Sequence, residues 1–210
     1  MRLCFHLGIH KTGSSLIQKN LLQNLNLLRD QRVFYVNAEM PGAIARQRNV
    51  LRRLQIPQRV SPPENALEGV NRKIIEAAQR ADARVILLSE ENRIGFPLYS
   101  QMIQVGTPAQ FYPLADACLR RVLHGLDHLD TTLLLYQRRF DRLLPSLYCE
   151  ALRNLAVTDT LDAFCEQIDF DSLSYETLCD RIASAAPHAS LEIKHFETIR
   201  TGAHAFLLEF

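Results

Sequence analysis

No stretch of this sequence approaches the ~20 consecutive apolar residues that a membrane-spanning helix needs. The opening Met-Arg-Leu-Cys-Phe-His-Leu-Gly-Ile is interrupted too soon to read as a secretory signal. Cys-x-x-Cys pairs are also missing. Cys4, Cys118, Cys149, Cys165 and Cys179 are odd in number and scattered, which argues against a disulfide framework or a zinc knuckle and reads as a reduced, intracellular set. Nor does charge of one sign prevail: 24 Lys and Arg stand against 23 Asp and Glu, a formal net charge of +1. That balance excludes a general nucleic-acid or membrane-surface binder, while a few focused cations could still hold a small polyanion. Internal repeats and low-complexity segments are absent too. What is present is 210 residues, 47% hydrophobic and 22% charged, enough for one domain spanning 1–210 with its own core. The expected setting is the cytoplasm, without stable membrane insertion and with no nucleic-acid partner. The oligomeric state is not legible.

Strand and helix patterns alternate along the chain. RLCFHLGI (2–9) reads as a buried strand, and from Ser14 onward Ile17, Leu21, Leu25 and Leu28 recur at helical spacing. VFYV (33–36), RVILLSEEN, TTLLLYQ and SLEIKHF are further strands. NRKIIEAAQRAD, LADACLRRVLHGLDHL, LLPSLYCEALRN, LDAFCEQI and LSYETLCDRIASA are further helices. Residues 39–66, with five Pro or Gly around RQRNVLRRLQ, and residues 93–113 are expected to be mobile segments, the first holding one short helix. The pattern predicts an α/β fold of three layers, a largely parallel central sheet between helices. Ligands in such sheets sit at the carboxyl ends of the strands.

The first such end carries LGIHKTGSSLIQK (7–19), with Gly8 and Gly13 separated by four residues. A glycine turn from strand to helix leaves backbone N–H groups free at the helix start, where the dipole also favours an anion. Ser14 and Ser15 add hydroxyls, and Lys11 adds a full charge. A solvated connection is the plainer reading of two glycines alone; the strand before and the helix after favour an anion cradle. A Walker loop would place its lysine after the second glycine, followed by Ser or Thr. Here the lysine lies inside the loop.

HLGIHKTGSSLIQ resembles the 5′-phosphosulfate loop of the sulfotransferases, Lys-[Ser/Thr]-Gly-[Ser/Thr]-[Ser/Thr] after a first strand. The bacterial branch that sulfates carbohydrates and small metabolites often carries a histidine before that lysine, as His10 stands here. The resemblance extends to QRRFDRLLPSLYCEAL, where Arg138 and Ser146, eight residues apart, match the family's clamp on the donor's 3′-phosphate. It implies a P-loop-like fold and sulfuryl transfer from 3′-phosphoadenosine-5′-phosphosulfate to a hydroxyl or amine of a carbohydrate or small-metabolite acceptor, leaving adenosine 3′,5′-bisphosphate. His10, Lys11, Thr12, Gly13, Ser14, Ser15, Arg138 and Ser146 would bind the donor. Arg139 is the alternative to Arg138. Pro145 is tolerated best at a helix start, which places Ser146 in or near a first turn.

Lys11 would stabilise the leaving oxygen. In VILLSEENRI, Glu90 matches the glutamate that serves carbohydrate sulfotransferases as base; Glu91 and His10 are the alternatives. No metal is expected, since a sulfuryl group carries less charge than a γ-phosphoryl, and the pair His124 and His128 lacks a third ligand. The mobile segments are expected on the acceptor side. The family's Arg-Lys-Gly donor motif near the C-terminus is missing, with RTGAHAF (200–206) in its place. A kinase using ATP and Mg²⁺, or a non-catalytic anion binder, are the rival readings.

Overall fold

The computed structural model of the chain describes residues 1–54, 61–98, 108–154 and 159–208. Five strands form one parallel sheet: β1 (Arg2–His6), β2 (Val33–Tyr35), β3 (Val85–Ser89), β4 (Asp130–Gln137) and β5 (Ala189–His195), in the order β2-β3-β1-β4-β5. Helices connect them in chain order. α1 (Ser14–Gln23), α2 (Leu25–Asp30), α3 (Val36–Glu39), α4 (Pro41–Leu54) and α5 (Glu68–Arg80) precede β3; α6 (Ala115–Leu123) precedes β4. α7 (Phe140–Asn154), α8 (Leu161–Glu166) and α9 (Tyr175–Ala185) precede β5, and α10 (Ala203–Leu208) follows it.

The period-2 alternation of the strands divides the apolar residues between two faces. Leu3, Phe5, Ile86, Leu88, Leu133 and Leu135 meet side chains of α4 to α9, among them Ile44, Leu51, Ile74, Leu119, Leu147 and Ile182. The intervening Leu87, Leu134 and Tyr136 pack against Ile17 and Leu21 of α1 and Phe206 of α10. Six consecutive residues of β4 are buried, as a central parallel strand covered on both faces requires. On the larger face, Gln47 of α4 donates to Asn71 of α5 (3.1 Å), whose amide donates to the Val122 carbonyl of α6 (2.9 Å). A buried polar group left unpaired costs more than the pairing returns, so this contact fixes the register of three helices.

The α/β layering follows the sequence pattern, but several boundaries differ. Residues 41–54 form the fourteen-residue α4 rather than a short helix in an irregular segment; its apolar positions Ile44 and Leu51 reach the core and outweigh Gly42 and the four arginines. Residues 55–60 and 99–107 of the expected mobile segments lie outside the described residues. α6 stops at Leu123, with Gly125 at φ 78° breaking the run, so His124 and His128 do not share a helix face. α7 begins at Phe140, five residues before Pro145, and Ser146 is its seventh residue rather than part of the first turn. Among the described residues no helix is long and apolar enough to cross a membrane, and no group of three His, Cys, Asp or Glu could hold a metal ion.

Candidate active site

β1 sits at the centre of the sheet, and after His6 the chain turns through residues 7–13 into α1. Gly8 (φ 55°), Lys11 (φ 67°) and Gly13 (φ 80°) all adopt left-handed backbone. For lysine that conformation costs about 1–2 kcal/mol, so the surroundings must impose it. They do so from two sides. Thr12, fully buried, donates both its N–H (3.2 Å) and its hydroxyl to the Ile9 carbonyl, closing the loop from beneath. Arg138, directly after β4, donates from Nη1 to the Lys11 carbonyl (2.6 Å). Leu16 and Ile17 donate to the Gly13 carbonyl, and the N–H groups of Ser14 and Ser15 precede these bonds at the start of α1.

A cavity of about 300 Å³ opens over this loop, lined by His10, Lys11, Gly13, Ser14, Ser15, Glu91, Arg138 and Glu150. The fold therefore brings together seven of the residues that the sequence singles out: His10, Lys11, Gly13, Ser14, Ser15, Glu91 and Arg138. Thr12 lies below the cavity as a brace. Ser146 is half-buried on α7 and does not line the cavity. The two arginines at the end of β4 have different partners. Arg139 grips Asp141 with Nε and Nη2, both at 3.0 Å, whereas Arg138 reaches the loop. Burial lowers the Arg138 pKa, and its guanidinium lies 4.9 Å from the centre of the Phe196 ring. A second depression of about 200 Å³ continues past it, lined by Arg138, Arg139, Arg142, Phe196, Glu197, Ile199 and Arg200.

The end of β3 departs from the expected arrangement. Glu90 is only 2% exposed and does not line the cavity. Its Oε2 accepts from Nε (3.0 Å) and Nη2 of Arg48 on α4, and its Oε1 accepts from the Asn92 amide (2.9 Å). Glu91 is the neighbour that faces the loop, where its Oε2 accepts the Ser14 hydroxyl (2.5 Å). Asn92 passes the constraint on. Its Oδ1 accepts from Nε2 of His10 (3.1 Å), so the His10 proton sits on Nε2 and Nδ1 accepts from the Tyr112 hydroxyl (2.9 Å). The same hydroxyl accepts the His10 N–H (2.9 Å). A chain of hydrogen bonds thus runs from Arg48 through Glu90, Asn92 and His10 to Tyr112, holding the loop from the side opposite Arg138. Beside it, Arg93 is fully buried, and among the described residues its guanidinium has no hydrogen-bonded partner. Burial lowers its pKa to about 10, against the raising effect of Glu90.

Local sequence patterns did not reveal Arg48, Asn92, Tyr112 or Glu150. Asn92 had a usable signal, standing two residues after Glu90 in a polar turn. Tyr112 is 102 positions from His10, and Glu150 reads as one polar position on an amphipathic helix.

His10 and His6 are both buried, and burial lowers their pKa values to about 4 and about 3. For His10, Glu150, the Asn92 bond and Glu90 act in the raising direction and Lys11 in the lowering one. The native state therefore holds both imidazoles neutral, whereas the unfolded chain protonates them near the ordinary value of 6.5. Their contribution to stability is complete above about pH 6.5 and is lost as pH falls through the native values. At pH 5 the loss is about 2 kcal/mol for each imidazole. The melting temperature is expected to drop by roughly 10 °C between pH 7.5 and pH 5, and replacing His10 with asparagine should flatten that dependence. Equal melting temperatures at the two pH values would contradict neutral, buried rings.

No protein-family model matches the sequence, and no curated protein matches it. Among solved structures, a sulfotransferase from Alicyclobacillus acidocaldarius superposes with a TM-score of 0.55 at 13% identity, over 100% of this chain and 78% of that one. The chain shares the fold of a sulfotransferase. Within that shared sulfotransferase fold, the cavity described above lies at the carboxyl end of the central strand β1, beside β4, where the order of strands reverses and where open α/β sheets place their ligands.

Proposed function

We propose that the protein is a sulfotransferase that moves a sulfuryl group from 3′-phosphoadenosine-5′-phosphosulfate to a hydroxyl or amine of a carbohydrate or small-metabolite acceptor. One observation carries the reading: within a fold shared with a sulfotransferase, Arg138 is bonded to the carbonyl of Lys11, so the two cations border one cavity over the start of α1. The residues suit the donor. Lys11, the hydroxyl of Ser15 and the free N–H groups of α1 would receive the 5′-phosphosulfate. Arg138, with Arg142 and Arg200 in the adjoining depression, would receive the 3′-phosphate. Ser146 lines neither depression and stands outside this assignment.

The reaction would be an in-line displacement in which charge builds on the oxygen bridging phosphorus and sulfur. A lysine held in the loop by its own backbone stabilises that charge without reorganising. In this reading His10 and Glu90 are parts of the frame. They fix the loop through Asn92 and Tyr112 and leave proton transfer to another group. The scattered free cysteines fit a reducing compartment such as the cytoplasm.

Adenosine 3′,5′-bisphosphate is expected to raise the melting temperature, by the equivalent of about 3 kcal/mol at a hundredfold excess over its dissociation constant. ATP with Mg²⁺ should produce a smaller rise. A shift with ATP–Mg²⁺ and none with the bisphosphate would remove the sulfotransferase reading in favour of a kinase.

A further inference from the structure

Four groups that could accept a proton stand at or beside the cavity: His10 from the loop, Glu90 and Glu91 from the end of β3, and Glu150 from α7. Three already hold partners on the atoms that matter. Nδ1 of His10 accepts from Tyr112, and its Nε2 is engaged with Asn92. Both oxygens of Glu90 accept hydrogen bonds, and the side chain is buried away from the cavity. Oε2 of Glu91 accepts from Ser14. Glu150 differs. It lines the cavity with Lys11 and Arg138, and its Oε2 is buried without a hydrogen bond from any group among the described residues.

A buried carboxylate oxygen without a donor is costly, and a ligand that brings an O–H or N–H into the cavity would remove that cost once the soft terminal torsion of the carboxylate turns toward it. The placement is also rigid. Glu150 lies on the fifteen-residue α7, one turn beyond Ser146 on the same face, rather than on a loop that would have to close. The signs of charge around the cavity point the same way. Lys11 and Arg138 mark a side for the donor, while Glu91 and Glu150 disfavour a further anion and suit a neutral or cationic group.

We propose that Glu150 receives the proton of the acceptor. This rests on the sulfuryl-transfer reading above. The acceptor oxygen bonds to sulfur as the bond from sulfur to the bridging phosphate oxygen breaks, and that electron pair departs with adenosine 3′,5′-bisphosphate. The acceptor proton passes to the Glu150 carboxylate and is released to solvent after the products leave. The two acids favour an acceptor that is uncharged or an amine at the reacting position, and disfavour one carrying a carboxylate or sulfate beside it.

The test compares wild type, Glu150→Gln and Glu150→Asp in two measurements: calorimetric binding of adenosine 3′,5′-bisphosphate, and transfer of ³⁵S from labelled donor to water and to methyl glucoside. Glu150→Gln is expected to bind the bisphosphate at least as tightly as wild type, since a negative charge beside an anion is removed. Its kcat should fall by about 100-fold or more. Glu150→Asp should retain an intermediate rate, and it decides the matter if the glutamine variant does not fold. Wild-type kcat in Glu150→Gln, or in Glu150→Asp where only that variant folds, overturns the proposal. So does a loss confined to KM, or a wild type that binds the bisphosphate yet transfers to neither acceptor. A wild type that does not bind the bisphosphate removes the sulfuryl-transfer reading itself, and the role of Glu150 with it.

Discussion

Replacement of Lys11 by alanine is expected to lower sulfuryl transfer by about 10²–10³-fold, the range seen when one preorganised donor to a developing oxyanion is removed. Stability should change little. Alanine keeps the Cβ, so the left-handed backbone at φ 67° carries the same strain before and after the change, and Arg138 bonds to the backbone carbonyl rather than to the side chain. Among the described residues the Lys11 ammonium is in no salt bridge, so no buried partner is orphaned. The loss should therefore appear in kcat and in affinity for the bisphosphate, with an unchanged melting temperature. Single-turnover transfer from labelled donor measures it. A variant that transfers at the wild-type rate would refute the role of Lys11 as the stabiliser of the leaving oxygen. Lys11→Arg should recover part of the rate, because a planar guanidinium keeps the charge but not the point geometry of an ammonium.

The second large effect is on stability. Gly13→Val is expected to destabilise the protein by about 3–5 kcal/mol, combining left-handed strain with overpacking. Gly13 has φ 80°, and a Cβ placed there would lie 3.2 Å from the rings of both Phe196 and Phe206. Those rings are in edge contact with each other, and Phe206 also packs on Tyr136 of β4, so neither can withdraw without opening the smaller core. A β-branched residue compounds the backbone penalty. Gly13→Ala should cost about half as much. Gly42 and Gly69 provide the contrast, since each is the second residue of a helix with open space around its Cβ position. Alanine at either is expected to be neutral or stabilising by up to ~1 kcal/mol. Urea midpoints for the variants check the ranking. A Gly13→Val protein as stable as the wild type would mean that the tail containing Phe206 does not pack on the loop.

The mismatch at the end of β3 shows where local reading stops. SEEN reads as a polar turn beyond a strand, and either glutamate could face a ligand. Which one does depends on α4, whose Arg48 stands 42 positions before Glu90 and draws its carboxylate into the protein. With Glu90 held there, Glu91 is the one that meets Ser14. The two residues exchange their expected places because of one distant guanidinium. Glu150 is hidden from local reading for a related reason: on a helix with an apolar stripe, a glutamate on the polar side signals solvent unless another layer covers it.

The course of the backbone was legible because its causes are local. Alternation at period 2 and 3.6 marked the strands and helices, and a glycine turn after the first strand with a lysine inside it marked the anion cradle. Arg138 at the end of TTLLLYQ was legible for the same reason, since the end of a strand is a place that a sequence can mark. The tertiary structure alone decided the order of the strands, the burial of Glu90, the brace from Tyr112 and the exposure of Glu150 to the cavity. These depend on contacts between segments as far apart as Arg2 and Asp130, and the free energy that selects among them comes from burial and pairing between layers, which periodicity along one segment does not record.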